Sequence, residues 1–156
     1  MDFSYSEEQQ MLQDSVQKFV HNQYDFETRR KILESAPGFS TEYWQLFSEL
    51  GWLTVPFREE DGGFGGSAVD LMVIMEEFGK GIVVEPFVPV TVICGGLISE
   101  LGSAQQKEQL LSRIMEGGLQ LACAFAEGDS RYNLANVRTS ARKDGEHYVI
   151  SGEKIV

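Results

Sequence analysis

The sequence is poor in the residues that build metal centres and disulfide frameworks. Its 156 residues include two cysteines, Cys94 and Cys123, and two histidines, His21 and His147. The cysteines form no Cys-x-x-Cys pair, and two histidines are too few to complete a zinc site. We therefore predict no metal site and two reduced thiols, the usual state in a cytoplasmic protein.

Basic residues are also scarce. The chain has 13 lysines and arginines against 24 aspartates and glutamates, which gives a formal net charge of −11. Residues 119–156 are neutral as a group, so the negative charge belongs to residues 1–118. An acidic surface repels phosphate backbones and anionic headgroups. The composition therefore argues against nucleic acid and against a membrane as partners.

Long apolar runs are missing as well. The most apolar stretch, residues 81–98, is interrupted by Glu85, Pro86, Pro89 and a pair of glycines. It is too irregular for a membrane span. The first ten residues have neither a basic nor an apolar region of the kind found in signal peptides. Both observations favour a cytoplasmic protein.

The first 118 residues follow helical spacing, with helix-start motifs at Ser6-Glu7-Glu8-Gln9 and Ser103-Ala104-Gln105-Gln106. Each motif is a capping box, in which a serine and a glutamine satisfy each other's backbone N–H groups. Five helices are predicted, over residues 7–34 with a bend near 22, 41–50, 67–78, 88–101 and 104–116. The fourth is apolar on nearly all sides, which predicts burial in the middle of a bundle.

The spacing changes after Gly118. Leu119–Ala126 has the composition of a buried strand, and residues 137–142 alternate as in a half-exposed strand. Asp144-Gly145 predicts a hairpin turn, residues 147–150 a returning strand, and residues 154–156 the start of a third. A further extended segment is predicted at Trp52–Pro56. The expected class is α+β, with a helical domain at 1–118 and an incomplete, truncated β domain at 119–156.

Several landmarks stand in a characteristic order. They are Leu50-Gly51-Trp52-Leu53, the glycine-rich loop 62–66, Glu76-Glu77-Phe78-Gly79-Lys80, Ala124-Phe125-Ala126-Glu127, and Tyr148-Val149-Ile150-Ser151-Gly152-Glu153-Lys154. Together they resemble the N-terminal half of acyl-CoA dehydrogenases, in the small-subunit branch related to pimeloyl-CoA dehydrogenase. The resemblance implies a helical domain followed by a β-barrel domain, an FAD cofactor, an acyl-CoA substrate, and a homo- or hetero-oligomer with another acyl-CoA dehydrogenase subunit.

The resemblance also implies site residues. The family's flavin motif, Thr-Glu-Pro-x-x-Gly-Ser-Asp, aligns with residues 126–133, where only Glu127 is identical. The family threonine falls on Ala126, the glycine on Arg131, the serine on Tyr132, and a later tryptophan near Val156. The expected cofactor contacts are Cys123, Phe125, Ala126, Arg131 and Tyr132. The expected substrate contacts are Val92, Ile93 and Tyr132.

No catalytic residue is assigned, because the family's catalytic carboxylate belongs to a later domain. The 156-residue chain is therefore expected to be inactive alone. Two alternatives stay open: a non-catalytic small subunit of a hetero-oligomeric acyl-CoA dehydrogenase, and a helical interaction module without flavin. Residues 63–68 also fit Gly-x-Gly-x-x-Ala, but no βαβ unit surrounds them, so a dinucleotide fold is not predicted.

Overall fold

The computed structural model describes residues 4–131 and 133–155. The helices are α1 (Glu7–Gln23), α2 (Phe26–Glu34), α3 (Thr41–Glu49), α4 (Ala68–Gly81), α5 (Gly96–Leu101) and α6 (Ala104–Met115). A 3₁₀ turn covers Glu59–Asp61, and a π-helix over Phe87–Gly95 runs directly into α5. Strands β1 (Ser140–Asp144) and β2 (His147–Ser151) form a hairpin. The chain divides into two compact units, 1–121 and 122–156, and the predicted α+β class is confirmed.

Local capping sets the start of several helices. At α1 the Ser6 N–H donates to Gln9 Oε1 at 3.1 Å, and the Gln9 N–H donates to Ser6 Oγ at 3.2 Å. The same reciprocal arrangement opens α6 at Ser103, so both predicted capping boxes are confirmed. A third box, with Ser67 and Asp70, opens α4. Each box satisfies backbone N–H groups that a helix start otherwise leaves unpaired.

A cluster of buried aromatic rings forms the core of the first unit. Phe47 on α3 lies at ring-centroid distances of 5.2 Å from Phe19, 5.0 Å from Trp52 and 5.0 Å from Phe78. Phe78 in turn meets Phe87 of the π-helix edge-on at 5.5 Å. Such pairs are each worth about 0.5–1.5 kcal/mol beyond the area they bury. The cluster joins α1, α3, α4 and the π-helix.

The extended segment predicted at Trp52–Pro56 is wrong, because this stretch forms consecutive turns. The glycine-rich loop folds back onto it. The N–H groups of Gly65 and Gly66 donate to the carbonyls of Phe57 at 2.7 Å and Val55 at 2.8 Å. A Cβ at Gly63 would lie 2.1 Å from the Phe57 carbonyl oxygen, so this close approach requires glycine.

The predicted fourth helix exists as the π-helix followed by α5, but its predicted burial on all sides is wrong. Val88, Ile93, Leu97 and Leu101 follow each other at intervals of four or five residues, and they are 37%, 37%, 48% and 80% exposed. We call these four residues the apolar row. The other elements of the helical unit cover only the opposite side, which includes Phe87 and Val90.

The second unit contains less regular structure than predicted. In the hairpin, Arg142 pairs with Val149, and every residue of both strands is exposed, because two strands alone have no facing layer. The half-exposed pattern expected for residues 137–142 is therefore wrong. So is the strand at Leu119–Ala126. A strand needs a continuous partner, and Ala126 makes only an isolated bridge to Ile155.

One further backbone feature stands out at the end of α4. Ile82 has φ = 51°, the left-handed conformation that β-branched residues avoid. Its carbonyl accepts a hydrogen bond from Arg29 Nε at 2.9 Å. Strained residues of this kind persist where the surrounding structure fixes them, and they concentrate at functional sites.

Candidate functional site

An apolar cleft of about 360 Å³ lies in the helical unit, where the end of α4 meets the start of the π-helix. Its lining consists of Met75, Phe78, Gly79, Ile82, Val83, Glu85, Phe87, Val88 and Pro89. Eight of these nine residues carry no charge. A cleft with such a lining suits a hydrocarbon chain better than a polar group.

Glu85, the exception, is held in place from two directions. Tyr24 donates its hydroxyl to Oε2 at 2.7 Å, and the Ser40 N–H donates to Oε1 at 3.2 Å. The Val84 N–H donates to the Tyr24 hydroxyl at 3.1 Å. Burial, and then the hydrogen bond to Glu85, raise the pKa of Tyr24 far above its usual value, so the tyrosine stays protonated and keeps donating.

The two predicted substrate contacts of the helical unit lie on the π-helix but outside the cleft lining. Val92 packs partly buried against the core, and Ile93 belongs to the apolar row. Val88 connects the two features, because it lines the cleft and also begins the row. The roles of Val92 and Ile93 as substrate contacts stay predictions.

In the second unit, the Glu127 carboxylate is the centre of a hydrogen-bond network. It accepts from the Arg138 N–H at 2.7 Å, the Thr139 N–H at 3.0 Å and the Thr139 hydroxyl at 2.7 Å. Lys154 Nζ lies 2.9 Å from the same carboxylate. These contacts close the loop of residues 127–139 around one side chain.

The network determines the charge of Glu127. The Arg138 N–H makes the largest contribution, followed by the Thr139 hydroxyl and the Lys154 ammonium group, and together they lower the pKa of Glu127 from 4.5 to about 2. Hydrogen bonds to the ionised form have this effect. Glu127 is therefore ionised at neutral pH, and its oxygens are engaged inside the unit.

The loop that follows Glu127 turns sharply. Ser130 donates its hydroxyl to the Glu127 carbonyl at 2.8 Å and accepts from the Glu127 N–H at 3.3 Å. Arg131 comes next with φ = 49°, and its side chain is exposed. The position that aligns with a family glycine therefore keeps a glycine-like backbone, although it carries an arginine.

The other predicted cofactor contacts lie just before this loop. Phe125 is 53% exposed, Cys123 is partly exposed, and the Phe125 N–H donates to the Cys123 carbonyl at 3.2 Å. Ala126 accepts from the Ile155 N–H at 2.9 Å. Tyr132 lies outside the described residues. A polar cleft of about 350 Å³ in this unit is lined by Glu127, Gly128, Asp129, Arg138, Thr139, Gly152, Glu153 and Ile155, and this lining does not include Cys123, Phe125, Ala126 or Arg131.

The residues that organise the apolar cleft and the Glu127 network were not predicted from the sequence. Glu85, Tyr24 and Ser40 are far apart in sequence, and so are Glu127, Thr139 and Lys154. One signal was available for Glu85, a single acidic residue between two short apolar runs. For Glu127 the signal was its identity with the glutamate of the family's flavin motif, but that identity alone predicted no role for it.

Two classes of site find no support in residues 4–131 and 133–155. No group of three or more histidines, cysteines, aspartates and glutamates in these ranges could hold a metal ion. In the same ranges, no helix has the length and hydropathy that crossing a membrane requires.

Comparison with known proteins places the helical unit in a family. Residues 6–118 match the acyl-CoA dehydrogenase N-terminal domain. The chain is 33% identical over 157 aligned residues to acyl-CoA dehydrogenase FadE12 of Mycobacterium tuberculosis strain H37Rv, covering 98% of this chain and 39% of that protein. The chain therefore belongs to the acyl-CoA dehydrogenase family, as the resemblance predicted.

Solved structures agree with this assignment. A chain of the ChsE4–ChsE5 complex from Mycobacterium tuberculosis superposes with a TM-score of 0.85 at 30% identity, over 99% of this chain and 39% of that one. A structure of PigA with FAD and proline gives a TM-score of 0.84 at 25% identity, over 99% of this chain and 41% of that one. The chain thus spans about two fifths of the length of the relatives that it matches.

Proposed function

We propose that this chain is the N-terminal part of an FAD-dependent acyl-CoA dehydrogenase and that its apolar cleft receives the acyl tail. The reaction removes a proton from the α carbon and a hydride from the β carbon of the thioester, leaving an enoyl-CoA. The observation that carries the proposal is the apolar cleft between α4 and the π-helix, found in a domain of this family.

The cleft suits the acyl tail because burying each methylene group stabilises a complex by about 0.8 kcal/mol. Met75 and Val88 provide apolar walls, and the partly exposed Ile93 and Val92 extend the apolar surface along the same helix. In this proposal the helical unit binds and orients the tail. The residue that takes the α proton is not assigned to this chain.

The residues near Phe125 fit part of an FAD molecule. The exposed Arg131 guanidinium suits a phosphate, which arginine binds through two parallel N–H donors. The exposed Phe125 ring offers an apolar surface, while Ala126 offers only backbone groups, and Cys123 and Tyr132 complete the proposed set. When bound, FAD supplies the oxidation by accepting the hydride. The similarity to PigA, whose structure holds FAD, supports this part.

The test uses the purified 156-residue chain and octanoyl-CoA in isothermal titration calorimetry. We expect saturable binding that Met75→Asp weakens at least about tenfold, because a charge in the cleft wall must lose its hydration. Met11→Asp is the matched control, since Met11 is 73% exposed on α1 and does not line the cleft. Absence of octanoyl-CoA binding, or equal weakening by both variants, would contradict the proposal.

A second candidate is a non-catalytic subunit of a hetero-oligomeric acyl-CoA dehydrogenase. Two observations favour it: the similarity to a chain of the ChsE4–ChsE5 complex, and the replacement of the family's threonine and glycine by Ala126 and Arg131. FAD titration followed by flavin fluorescence separates the candidates. Binding of octanoyl-CoA without binding of FAD would favour the second, and binding of both would favour the first.

A further inference from the structure

We propose that the apolar cleft selects acyl thioesters whose distal end is uncharged and rejects those that carry a distal carboxylate. This inference rests on the proposed function, because it assigns a substrate class to the same cleft. It departs from the substrate suggested by the pimeloyl-CoA dehydrogenase branch, since a pimeloyl group ends in a carboxylate.

The acidic side chain that lines the cleft carries the argument. Glu85 is 6% exposed and is the only charged residue among the nine that form the lining. Both of its oxygens accept hydrogen bonds, from Tyr24 and from Ser40, as an ionised carboxylate does. Both of these donors are uncharged, so they fix the negative charge beside the cleft without neutralising it.

The position of Glu85 is fixed by the backbone as well as by its partners. Glu85 lies three residues after the strained Ile82, and both residues line the cleft from the connector between α4 and the π-helix. Arg29, which donates to the Ile82 carbonyl at 2.9 Å, holds this connector against α2. The cleft therefore has an apolar residue and an acidic residue on the same edge.

This arrangement discriminates by charge. A methyl end group brings only apolar surface to the cleft, and its burial is favourable. A distal carboxylate would lose part of its hydration and approach the like charge of Glu85. Arg29 reaches this edge through its hydrogen bond to the Ile82 carbonyl, but it does not line the cleft.

The experiment compares two thioesters of equal length, octanoyl-CoA and the eight-carbon analogue with a free distal carboxylate, by calorimetry on the 156-residue chain. We expect the dicarboxylic thioester to bind at least about tenfold more weakly, as expected when like charges approach. In Glu85→Gln the difference should fall to about threefold or less, because the amide oxygen still accepts one hydrogen bond but carries no charge.

Glu8→Gln provides the matched control, because Glu8 is exposed on α1 and does not line the cleft. It should leave the difference between the two thioesters unchanged. If Glu85→Gln fails to fold by circular dichroism, the wild-type comparison alone decides. Octanoyl-CoA binding with equal or tighter binding of the dicarboxylic thioester overturns this inference only. Binding of neither thioester overturns the proposed function and this inference together.

Discussion

At the scale of single residues, a buried carboxylate stabilises the second unit of this chain, whereas buried apolar side chains stabilise the first. In the second unit the only buried residues among those described are Glu127 and Ser130, so this part of the chain is organised around charge and hydrogen bonds. Buried charge is tolerated only when donors surround it. Glu127 meets this condition with three hydrogen bonds and a lysine.

The first prediction concerns the response of the Glu127 network to acid pH. Because the folded pKa of Glu127 lies below its ordinary value of 4.5, its stabilisation of the loop is complete above that value and is lost as pH falls through about 2. In NMR titrations, the Arg138 and Thr139 amide signals should therefore shift together, with a midpoint near the folded pKa. Glu127→Gln should abolish this common transition, whereas Glu146→Gln, at the exposed hairpin turn, should keep it. A transition that survives in Glu127→Gln would contradict the assignment.

A second prediction concerns Ile82. Its left-handed backbone costs a β-branched residue about 1–2 kcal/mol, and its side chain is 57% exposed, so little burial is lost on truncation. Ile82→Gly should therefore raise the free energy of unfolding by up to about 1 kcal/mol in urea titrations. Val83→Gly, next to it but partly buried against the core, should lower it. A lower free energy of unfolding in Ile82→Gly would show that the left-handed backbone of Ile82 is not strained.

Residue-level prediction from the sequence succeeded where partners are close in the chain. Ser6 and Gln9 are three residues apart, so the capping box could be recognised in the sequence. Glu85 finds Tyr24 and Ser40 at distances of 61 and 45 residues along the chain, and no local pattern encodes such pairs. The same applies to Lys154 and Glu127, which are 27 residues apart.

At the scale of elements, the junction of the π-helix and α5 depends on close packing. A Cβ at Gly95 would lie 2.5 Å from Cζ of Phe57, which is 1% exposed and cannot move freely, whereas a Cβ at the adjacent Gly96 meets nothing within 4 Å. These two glycines are neighbours in one continuous helix, yet Gly96 has room for a Cβ atom and Gly95 does not. The reason for glycine at Gly95 is space, not backbone conformation, since its φ is −61°.

The third prediction uses this pair. Gly96→Ala should stabilise the chain by up to about 1 kcal/mol, the difference in helix propensity between the two residues. Gly95→Ala gains the same propensity but overpacks the core, which costs about 1–3 kcal/mol, so its net effect should be destabilising. Urea unfolding followed by the fluorescence of Trp44 and Trp52 measures both. Equal effects of Gly95→Ala and Gly96→Ala on the free energy of unfolding would show that the contact with Phe57 does not exclude a Cβ atom at position 95.

The elements themselves were predicted with unequal success. Helices carry their period and their caps in adjacent residues, and the predicted helices are present, including the bend after residue 22. The strand expected at Leu119–Ala126 is absent, because a strand is defined by a partner that composition does not identify. The π-helix could not be foreseen, since its residues share the apolar composition of an ordinary buried helix.

At the scale of the whole molecule, the two units differ in what stabilises them. Residues 1–121 contain all of the buried apolar residues described, and the strands of the second unit are exposed throughout. The first unit should therefore unfold cooperatively, while the hairpin opens locally at little cost.

Hydrogen exchange tests this difference. The amides of β1 and β2 should exchange at least about 100-fold faster than those in the middle of α4, because local opening costs far less than global unfolding of about 5 kcal/mol or more. Amides of α1 provide the comparison within the first unit, since α1 packs along α4. Equal protection in β2 and α4 would mean that the hairpin shares the stability of the helical unit.

The reciprocal serine caps also affect how the chain folds during synthesis. Ser6 and Ser67 each specify a helix start within four residues, so α1 and α4 can begin to form independently of each other. Yet α1 packs mainly on α4, and Ala68 is translated roughly 45 residues after Gln23. At about 5–20 residues per second, α1 is synthesised several seconds before α4. During that interval the capping box at Ser6 favours the helical state of α1 before α4 is available.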